Sequence, residues 1–153
     1  NAALGHQTQR PYAKGWWIDR KGSRDQTQRI REEFNVKTPN VEVAAHALSG
    51  GNQQKFVVGR EMTSAPTVLV AAHPTRGIDV GAQAAVWQSI RDARSAGLAT
   101  LLISADLDEL IGLSDTILVM FHGRIVARRE PSEVAPRHLG SYMTGAAVEG
   151  DAA

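Results

Sequence analysis

The sequence predicts an α/β fold built on a mostly parallel sheet. Two short apolar runs, 67–72 and 98–103, have the length and composition of strands. A helix predicted over 80–96 lies between them, which is the spacing of a crossover connection joining parallel strands. Because helices cover both faces of such a sheet, we expect the run 67–72 to be a buried strand.

The first 66 residues are polar and mostly helical in pattern. Ser23 and Gln26 have the S-x-x-Q spacing of a capping box, which predicts that a helix opens there. Ile30 and Phe34 are four residues apart and would lie on one face of that helix. The helix is expected to end by Pro39, before a second helix begins.

The segment 11–18 is unusually aromatic for this chain, since it contains Tyr12, Trp16 and Trp17. Two uses are open: these rings could anchor a partner, or they could pack beneath the neighbouring helices, which is the use we expect. Stacking on nucleic acid is not expected, because it needs clusters of basic residues together with the rings.

Residues 48–55 read LSGGNQQK and are the most informative stretch of the chain. Gly50 and Gly51 lack β-carbons, so an anion could approach their backbone amides closely. A helix predicted from Asn52 to about Thr63 would place both glycines at its N-terminus, where unpaired amides and the helix dipole favour a phosphate. The alternative is that Ser49 is a simple N-cap before a glycine turn.

The second half of the chain is predicted to alternate helices and strands. The helix over 80–96 carries an apolar side and stops at Gly97, and a short helix begins at Asp106, whose D-x-x-E spacing to Glu109 suits an N-cap. The residues predicted on the apolar side are Val86, Trp87, Ile90 and Ala93.

The last elements are predicted to be a hairpin, a helix and a tail. Strands over 116–121 and 124–128 would be joined by a turn at His122 and Gly123. A final helix is expected from Ser132 to Met143, and a loose tail over 145–153.

Composition agrees with a cytosolic domain and indicates little more about function. A net charge of +1 gives no signal for binding a polyanion, and the absence of cysteine argues against disulfides and thiolate metal sites. No apolar run reaches the 18 or so residues of a membrane span. We therefore expect any membrane association to come through a partner.

The string LSGGNQQK, followed by a strand and then by PTRGIDVGA at 74–82, resembles the ATP-binding subunits of ABC transporters. The resemblance is closest to sugar and nucleoside importers whose ATPase chain carries two tandem nucleotide-binding domains, and the chain looks like the second of these. It extends over about residues 1–145. It implies a partial P-loop NTPase domain: a helical subdomain over 1–66 that ends in the signature helix, the C-terminal half of the core sheet over 67–131, and a C-terminal helix and tail over 132–153.

Three departures from the family pattern stand out. No G-x-x-x-x-G-K-[ST] phosphate loop occurs in the sequence, so the chain resembles the C-terminal two thirds of a domain and should not bind ATP tightly by itself. Ala72 and His73 replace the Asp-Glu pair that the family uses for the Mg²⁺ shell and the attacking water, and Ala105 replaces a histidine. His73 is a weak candidate for orienting water, and a structural histidine is the alternative.

Carboxylates near these positions do not suggest a second active site. Asp106, Asp108 and Glu109 are interpreted as the solvated first turn of a helix, not as a catalytic pair. No metal site is predicted within this chain.

The resemblance implies that this chain completes an ATP site in trans. Ser49, Gly50, Gly51 and Asn52 would contact the γ-phosphate of a nucleotide whose phosphate loop, metal ligand and base belong to the first domain of the tandem pair. The loop that lies at the interface between the two domains in this family is matched here by Arg76, Gly77 and Asp79. The alternatives are a turn aspartate that binds local amides and a solvated loop arginine.

The leading hypothesis is the ATP-binding subunit of an importer, acting with ATP and Mg²⁺ in the tandem assembly. Its partners would be the first nucleotide-binding domain, the transmembrane permease and, indirectly, an extracellular substrate-binding protein, at the cytoplasmic face of the plasma membrane. A soluble ABC ATPase that acts on ribosomes or DNA and a non-catalytic interaction module are the alternatives. The transported substrate is not encoded here, because the permease and the binding protein select it.

Overall fold

A computed structural model describes residues 2–146 of the chain, and it has the mixed α/β architecture that the sequence predicts. The described residues form two compact units, one of residues 2–69 with 74–100 and the other of residues 70–73 with 101–146. None of the helices in the described part combines the length and the apolar character needed to span a bilayer.

The first unit opens with a small hairpin that the sequence did not predict. Strand β1 (Ala13–Lys14) pairs antiparallel with β2 (Trp17–Ile18). Tyr12 is buried, but Trp16 and Trp17 are 102% and 82% exposed. The expectation that the aromatic segment packs beneath the helices is therefore wrong for both tryptophans, because the hairpin turn carries them away from the unit.

Helix α1 (Arg20–Glu33) begins earlier than the capping-box pattern predicts. Asp19 is its N-cap, and the carboxylate accepts a hydrogen bond of 3.0 Å from the amide of Gly22. Ser23 already lies inside the helix, with its N–H bonded to the carbonyl of Asp19 at 2.9 Å. The predicted Ser23–Gln26 capping box is wrong, since strand β2 leads directly into an earlier and equally suitable cap.

Two further helices complete the first unit: α2 (Gly50–Met62) and α3 (Val80–Ser95). Helix α2 packs closely on α1 at Gly59, where a β-carbon would lie 2.7 Å from Cδ2 of Phe34 and 2.8 Å from Cγ2 of Ile30. The apolar side predicted for α3 is confirmed at Val86 and Ile90, which are buried. Gly97 follows α3 with a φ of +96°, as its predicted role requires.

Strands β3 (Val68–Ala72) and β4 (Ala99–Ile103) form a two-stranded sheet. The carbonyl of Thr67 accepts from the amide of Ala99, and the carbonyl of Ile103 accepts from the amide of His73, so the strands run parallel. The prediction of a buried strand is wrong for these residues. Alternate side chains are exposed, 62% at Val70 and 56% at Leu101, because the described residues leave one face of the sheet uncovered.

The second unit contains helix α4 (Leu107–Leu113), strands β5 (Ile117–Phe121) and β6 (Arg124–Arg129), and helix α5 (Pro136–Met143). The predicted hairpin is confirmed: β5 and β6 pair antiparallel, and His122 and Gly123 both have positive φ in the turn, 48° and 75°. The centre of the unit is a cluster of buried side chains, Ile117, Val119, Ala127 and Leu139.

Helix α5 begins at Pro136, not at Ser132 as predicted, although it ends at Met143 as expected. Residues Pro131–Glu133 form only a single 3₁₀ turn, and Ala135 is extended with φ −91° and ψ 150°. The reason is that a proline disfavours helical geometry in the residue before it and is well suited to the first helical position. Most of the predicted tail, residues 147–153, lies outside the described residues.

Candidate phosphate-binding site

The N-termini of α2 and α3 are adjacent in the first unit. A β-carbon on Gly51, in the first turn of α2, would lie only 2.7 Å from Cβ of Ala82 in the first turn of α3. Real β-carbons do not approach so closely, so only glycine fits between the two helices without a shift of the backbone. The second glycine of LSGGNQQK is therefore required by packing as well as by any ligand.

Three backbone amides at the start of α2 precede the helical hydrogen-bond ladder. The first helical bond runs from the amide of Gln53 to the carbonyl of Ser49, at 2.9 Å. The amides of Gly50, Gly51 and Asn52 come before it, at the positive end of the helix dipole. Amides in this arrangement are suited to a phosphate oxygen.

The Ser49 hydroxyl does not cap its own helix through a side-chain hydrogen bond. Its oxygen instead accepts a bond of 2.9 Å from Nδ2 of Asn52, while Oδ1 of Asn52 accepts a bond of 2.8 Å from the amide of Lys37. Ser49 is therefore the N-cap residue by position, as the alternative interpretation holds, but its side chain does not cap the helix. The serine oxygen is held in place, and its hydroxyl proton can be donated to an anion.

Asn52 contributes to the site differently from the other predicted residues. Both polar atoms of its side chain are engaged, one with Ser49 and one with Lys37. Its side chain therefore positions the serine, and only its backbone amide resembles those of Gly50 and Gly51. Nothing in the local sequence indicated the bond to Lys37, which is 15 residues away.

The loop before α3 lies against the same glycines. The carbonyl oxygen of Gly77 would be 3.7 Å from a β-carbon on Gly50, and Oδ2 of Asp79 would be 3.3 Å from one on Gly51. Gly77 has a φ of +76°, which favours glycine, and Arg76 is exposed beside it. The structure thus brings Gly77 and Asp79 next to the Ser49–Asn52 segment.

Asp79 is the N-cap of α3. Its Oδ1 accepts a hydrogen bond of 2.9 Å from the amide of Ala82. This backbone hydrogen bond, assisted by the positive charge of Lys55, lowers the pKa of the Asp79 carboxyl below its ordinary value. Asp79 therefore binds a local backbone amide, as expected of a turn aspartate, and it also lies against Gly51.

Three other predicted positions lie in the second unit. Ala72 ends β3, His73 follows it, and Ala105 follows β4, so all three lie near the carboxyl ends of neighbouring parallel strands. His73 has a φ of +50° and an exposed side chain. Among the described residues no group of three or more histidine, cysteine or carboxylate side chains could hold a metal. The residues present here therefore do not fit a Mg²⁺ site.

The start of α4 agrees with the sequence only in part. Asp106 is the predicted N-cap, and its carboxylate accepts from the amides of Asp108 and Glu109 at 3.0 and 3.1 Å. Glu109, however, is only 1% exposed. Its interpretation as part of a solvated first turn is wrong, because α4 turns this residue towards the interior of the second unit.

No model of a known protein family matches the chain. Among curated proteins it is 41% identical to the guanosine import ATP-binding protein NupO of Bacillus subtilis over 145 residues, which are 95% of this chain and 28% of that protein. It is 43% identical to the ribose import ATP-binding protein RbsA 1 of Streptomyces avermitilis over 122 residues, 80% of this chain and 23% of that one. The chain thus spans about a quarter of the length of these relatives.

Solved structures give the same result for the fold. An ABC transporter in an inward-facing conformation superimposes with a TM-score of 0.75 at 14% identity, over 94% of this chain and 56% of that one. A nucleotide-free ATP-binding cassette from an ABC transporter matches with a TM-score of 0.65 at 22% identity, over 84% and 49% of the two chains.

The fold is therefore that of a partial ATP-binding cassette. Together with its sugar and nucleoside import relatives, the chain belongs to the ATP-binding proteins of ABC transporters.

Proposed function

We propose that the chain is part of the ATP-binding subunit of an ABC importer for sugars or nucleosides, in which ATP binding and hydrolysis drive transport. The observation that carries this proposal is the geometry of LSGGNQQK, which presents three amides and a fixed serine hydroxyl beside the Asp79 loop. The names of relatives, which specify guanosine import, ribose import and L-arabinose transport, support the substrate class.

Within this subunit, the chain would supply residues 49–52 of its LSGGNQQK segment to a site in the first nucleotide-binding domain. Ser49 and the amides of Gly50, Gly51 and Asn52 would bind the γ-phosphate of ATP, because a helix N-terminus with a hydroxyl donor is suited to a compact anion. The phosphate loop, Mg²⁺ and catalytic base would come from that other domain. Arg76, Gly77 and Asp79 would lie at the seam between the two domains.

The site on this chain itself would be degenerate. Ala72 has no metal-binding group, His73 stands in place of the expected glutamate, and Ala105 stands in place of a histidine. Loss of a general base alone typically slows an enzyme by roughly 10² to 10⁴. The assembled ATPase would therefore have one competent and one inactive site, with its permease as the main partner at the cytoplasmic face of the plasma membrane.

A serine-to-arginine replacement tests the trans site. In the full-length protein assembled with its permease, Ser49→Arg should abolish ATP turnover, because a long cationic side chain would fill the position of the phosphate. Ser64→Arg is the matched control: this serine follows the other end of α2, is exposed and accepts the same replacement without reaching the site. Near-normal ATP hydrolysis by the Ser49→Arg protein would refute the proposal.

A second replacement tests the degeneracy. Ala72→Asp with His73→Glu restores two of the three missing groups, but Ala105 remains. Turnover in the full-length assembly should therefore change little. A several-fold rise would show that the loss of these two groups alone limits the second site.

A further inference from the structure

The β1–β2 hairpin presents two tryptophans to solvent. Trp16 is 102% exposed and Trp17 is 82% exposed, and Ile18 beside them is also exposed. Tryptophan is a large apolar ring with one polar N–H, and exposing two neighbouring rings in water is unfavourable. Within the described part of the chain, most of the surface of both rings is therefore left uncovered.

The base of the hairpin is fixed to the rest of the unit. Tyr12 and Ala13 are buried, and the amide of Asp19 donates a hydrogen bond of 2.8 Å to the carbonyl of Tyr12. Trp17 lies directly opposite Lys14 in the two-stranded pairing. The tryptophans are therefore held on a short structured projection.

The sequence in and beside this projection is rich in basic residues. Residues 10–21 contain one carboxylate, Asp19, and four cations, which are Arg10, Lys14, Arg20 and Lys21. Asp19 is already paired, since its Oδ2 lies 3.0 Å from Nζ of Lys14 and its Oδ1 accepts from the amide of Gly22. Neither Arg20 nor Lys21 forms an ion pair with any residue that the structure describes. The projection therefore carries a local positive charge on a nearly neutral chain.

We propose that this hairpin binds the surface of an anionic lipid bilayer, with Trp16 and Trp17 inserted among the headgroups. Tryptophan favours the membrane–water interface, where its ring reaches apolar groups and its N–H stays hydrated. Arginine and lysine beside it attract anionic headgroups, by about fivefold in partitioning for each cation near the surface. This contact is additional to the permease in the proposed function and does not depend on the Ser49 site.

Lipid fits the hairpin better than the other macromolecules that aromatic and basic residues can bind. Ile18 extends the apolar surface next to the rings, and an apolar side chain has no favourable partner on a nucleic acid backbone. The bilayer interface, in contrast, accepts both aliphatic and aromatic groups beside cations.

Tryptophan fluorescence provides a direct test on the 153-residue chain. The third tryptophan, Trp87 of α3, is partly buried and is removed by Trp87→Phe, which leaves Trp16 and Trp17 as the reporters. Vesicles of phosphatidylglycerol and phosphatidylcholine in roughly equal parts should shift their emission to the blue. Brominated lipid should quench it, and vesicles of phosphatidylcholine alone should have a much weaker effect.

Variants distinguish vesicle binding by the hairpin from binding by other exposed apolar residues. Trp16→Ser with Trp17→Ser, which changes exposed residues only, should reduce vesicle binding in a flotation assay by roughly tenfold or more. Arg20→Gln with Lys21→Gln should reduce it by roughly 25-fold on anionic vesicles, in line with the loss of two cations. Ile125→Thr, at an exposed position of β6, is the control and should bind as the unmodified chain does.

The proposal is overturned if anionic vesicles leave the fluorescence of the Trp87→Phe chain unchanged, or if the double serine variant binds them as well as the unmodified chain. It is also overturned if a single-stranded oligonucleotide or the purified permease shifts the emission while vesicles do not. The ATPase assays on Ser49 are independent of each of these outcomes.

Discussion

Gly51 and Asp79 lie so close together that a β-carbon on the glycine would be 3.3 Å from Oδ2 of the aspartate. The aspartate also caps helix α3 through the amide of Ala82. One carboxylate therefore caps α3 and also lies against the start of α2, where the amides of Gly50, Gly51 and Asn52 are found. The start of the helix that carries LSGGNQQK therefore packs against the PTRGIDVGA loop.

Replacing Gly51 should damage this packing while replacing its neighbour should not. Gly51→Ala places a β-carbon 2.7 Å from Cβ of Ala82, and we expect a loss of about 1–3 kcal/mol in the free energy of unfolding. Gly50→Ala is the matched control, because its β-carbon would meet only the carbonyl of Gly77 at an ordinary 3.7 Å. Urea denaturation measures both. Equal stabilities for the two variants would show that α2 and α3 are not packed as described.

A second glycine tests the packing of α1 on α2. Gly59→Ala gains about 1 kcal/mol in helix propensity, but its β-carbon would overlap Phe34 and Ile30 at 2.7–2.8 Å. The overlap should dominate, so that the variant is less stable than the unmodified chain. Gly140→Ala in α5 is the control, since nothing lies within 4 Å of its β-carbon, and it should be at least as stable. A stabilised Gly59→Ala variant in thermal unfolding would contradict the contact.

Because of Asp79, the free energy of unfolding should depend on pH under acidic conditions. Its folded-state pKa is lowered by the bond from Ala82, so the carboxylate stabilises the fold above its unfolded value of about 3.9, and this contribution is lost as pH falls through the folded pKa. Asp79→Asn keeps a capping oxygen but does not titrate. The stability difference between the unmodified chain and this variant should therefore shrink between about pH 5 and pH 2.5. A difference that stays constant would exclude the ionised cap.

The uncovered face of the β3–β4 pair should make the 153-residue chain self-associate. Val70, Leu101 and Ile103 are exposed on neighbouring strands, and apolar sheet surface of this kind is a common site of association. Replacing all three by threonine should shift the chain towards monomer in analytical ultracentrifugation, without a loss of secondary structure. A monomeric unmodified chain with a single cooperative melting transition would show that this surface does not cause self-association.

Local patterns in the sequence were sufficient for several elements. His122 and Gly123 predicted the β5–β6 turn because both residue types tolerate positive φ, and the structure has 48° and 75° there. Helix α3 followed from its apolar spacing and from Gly97 at its end. In each case the decisive interaction lies within a few residues of the pattern.

Other features depend on distant parts of the chain. Asp19 and Ser23 were both suitable caps for α1, and strand β2, which no local pattern indicated, favours the earlier one. The bond from Lys37 that fixes Asn52 crosses 15 residues, and the packing that requires glycine at position 51 comes from Ala82. Exposure also depends on tertiary structure, which is why the predictions for Trp16, Trp17, Val70 and Glu109 were wrong.

The central claim is that Ser49, Gly50, Gly51 and Asn52 contact the γ-phosphate of ATP held by another domain. It is tested most directly by cross-linking the full-length assembly with an ATP analogue that is photoreactive at the γ-phosphate, followed by mass spectrometry of the labelled peptides. The account predicts labelling of the peptide that contains residues 49–52, and loss of that label when the phosphate-loop lysine of the first domain is replaced. Labelling confined to the first domain, or labelling of residues 49–52 that survives the lysine replacement, would contradict it.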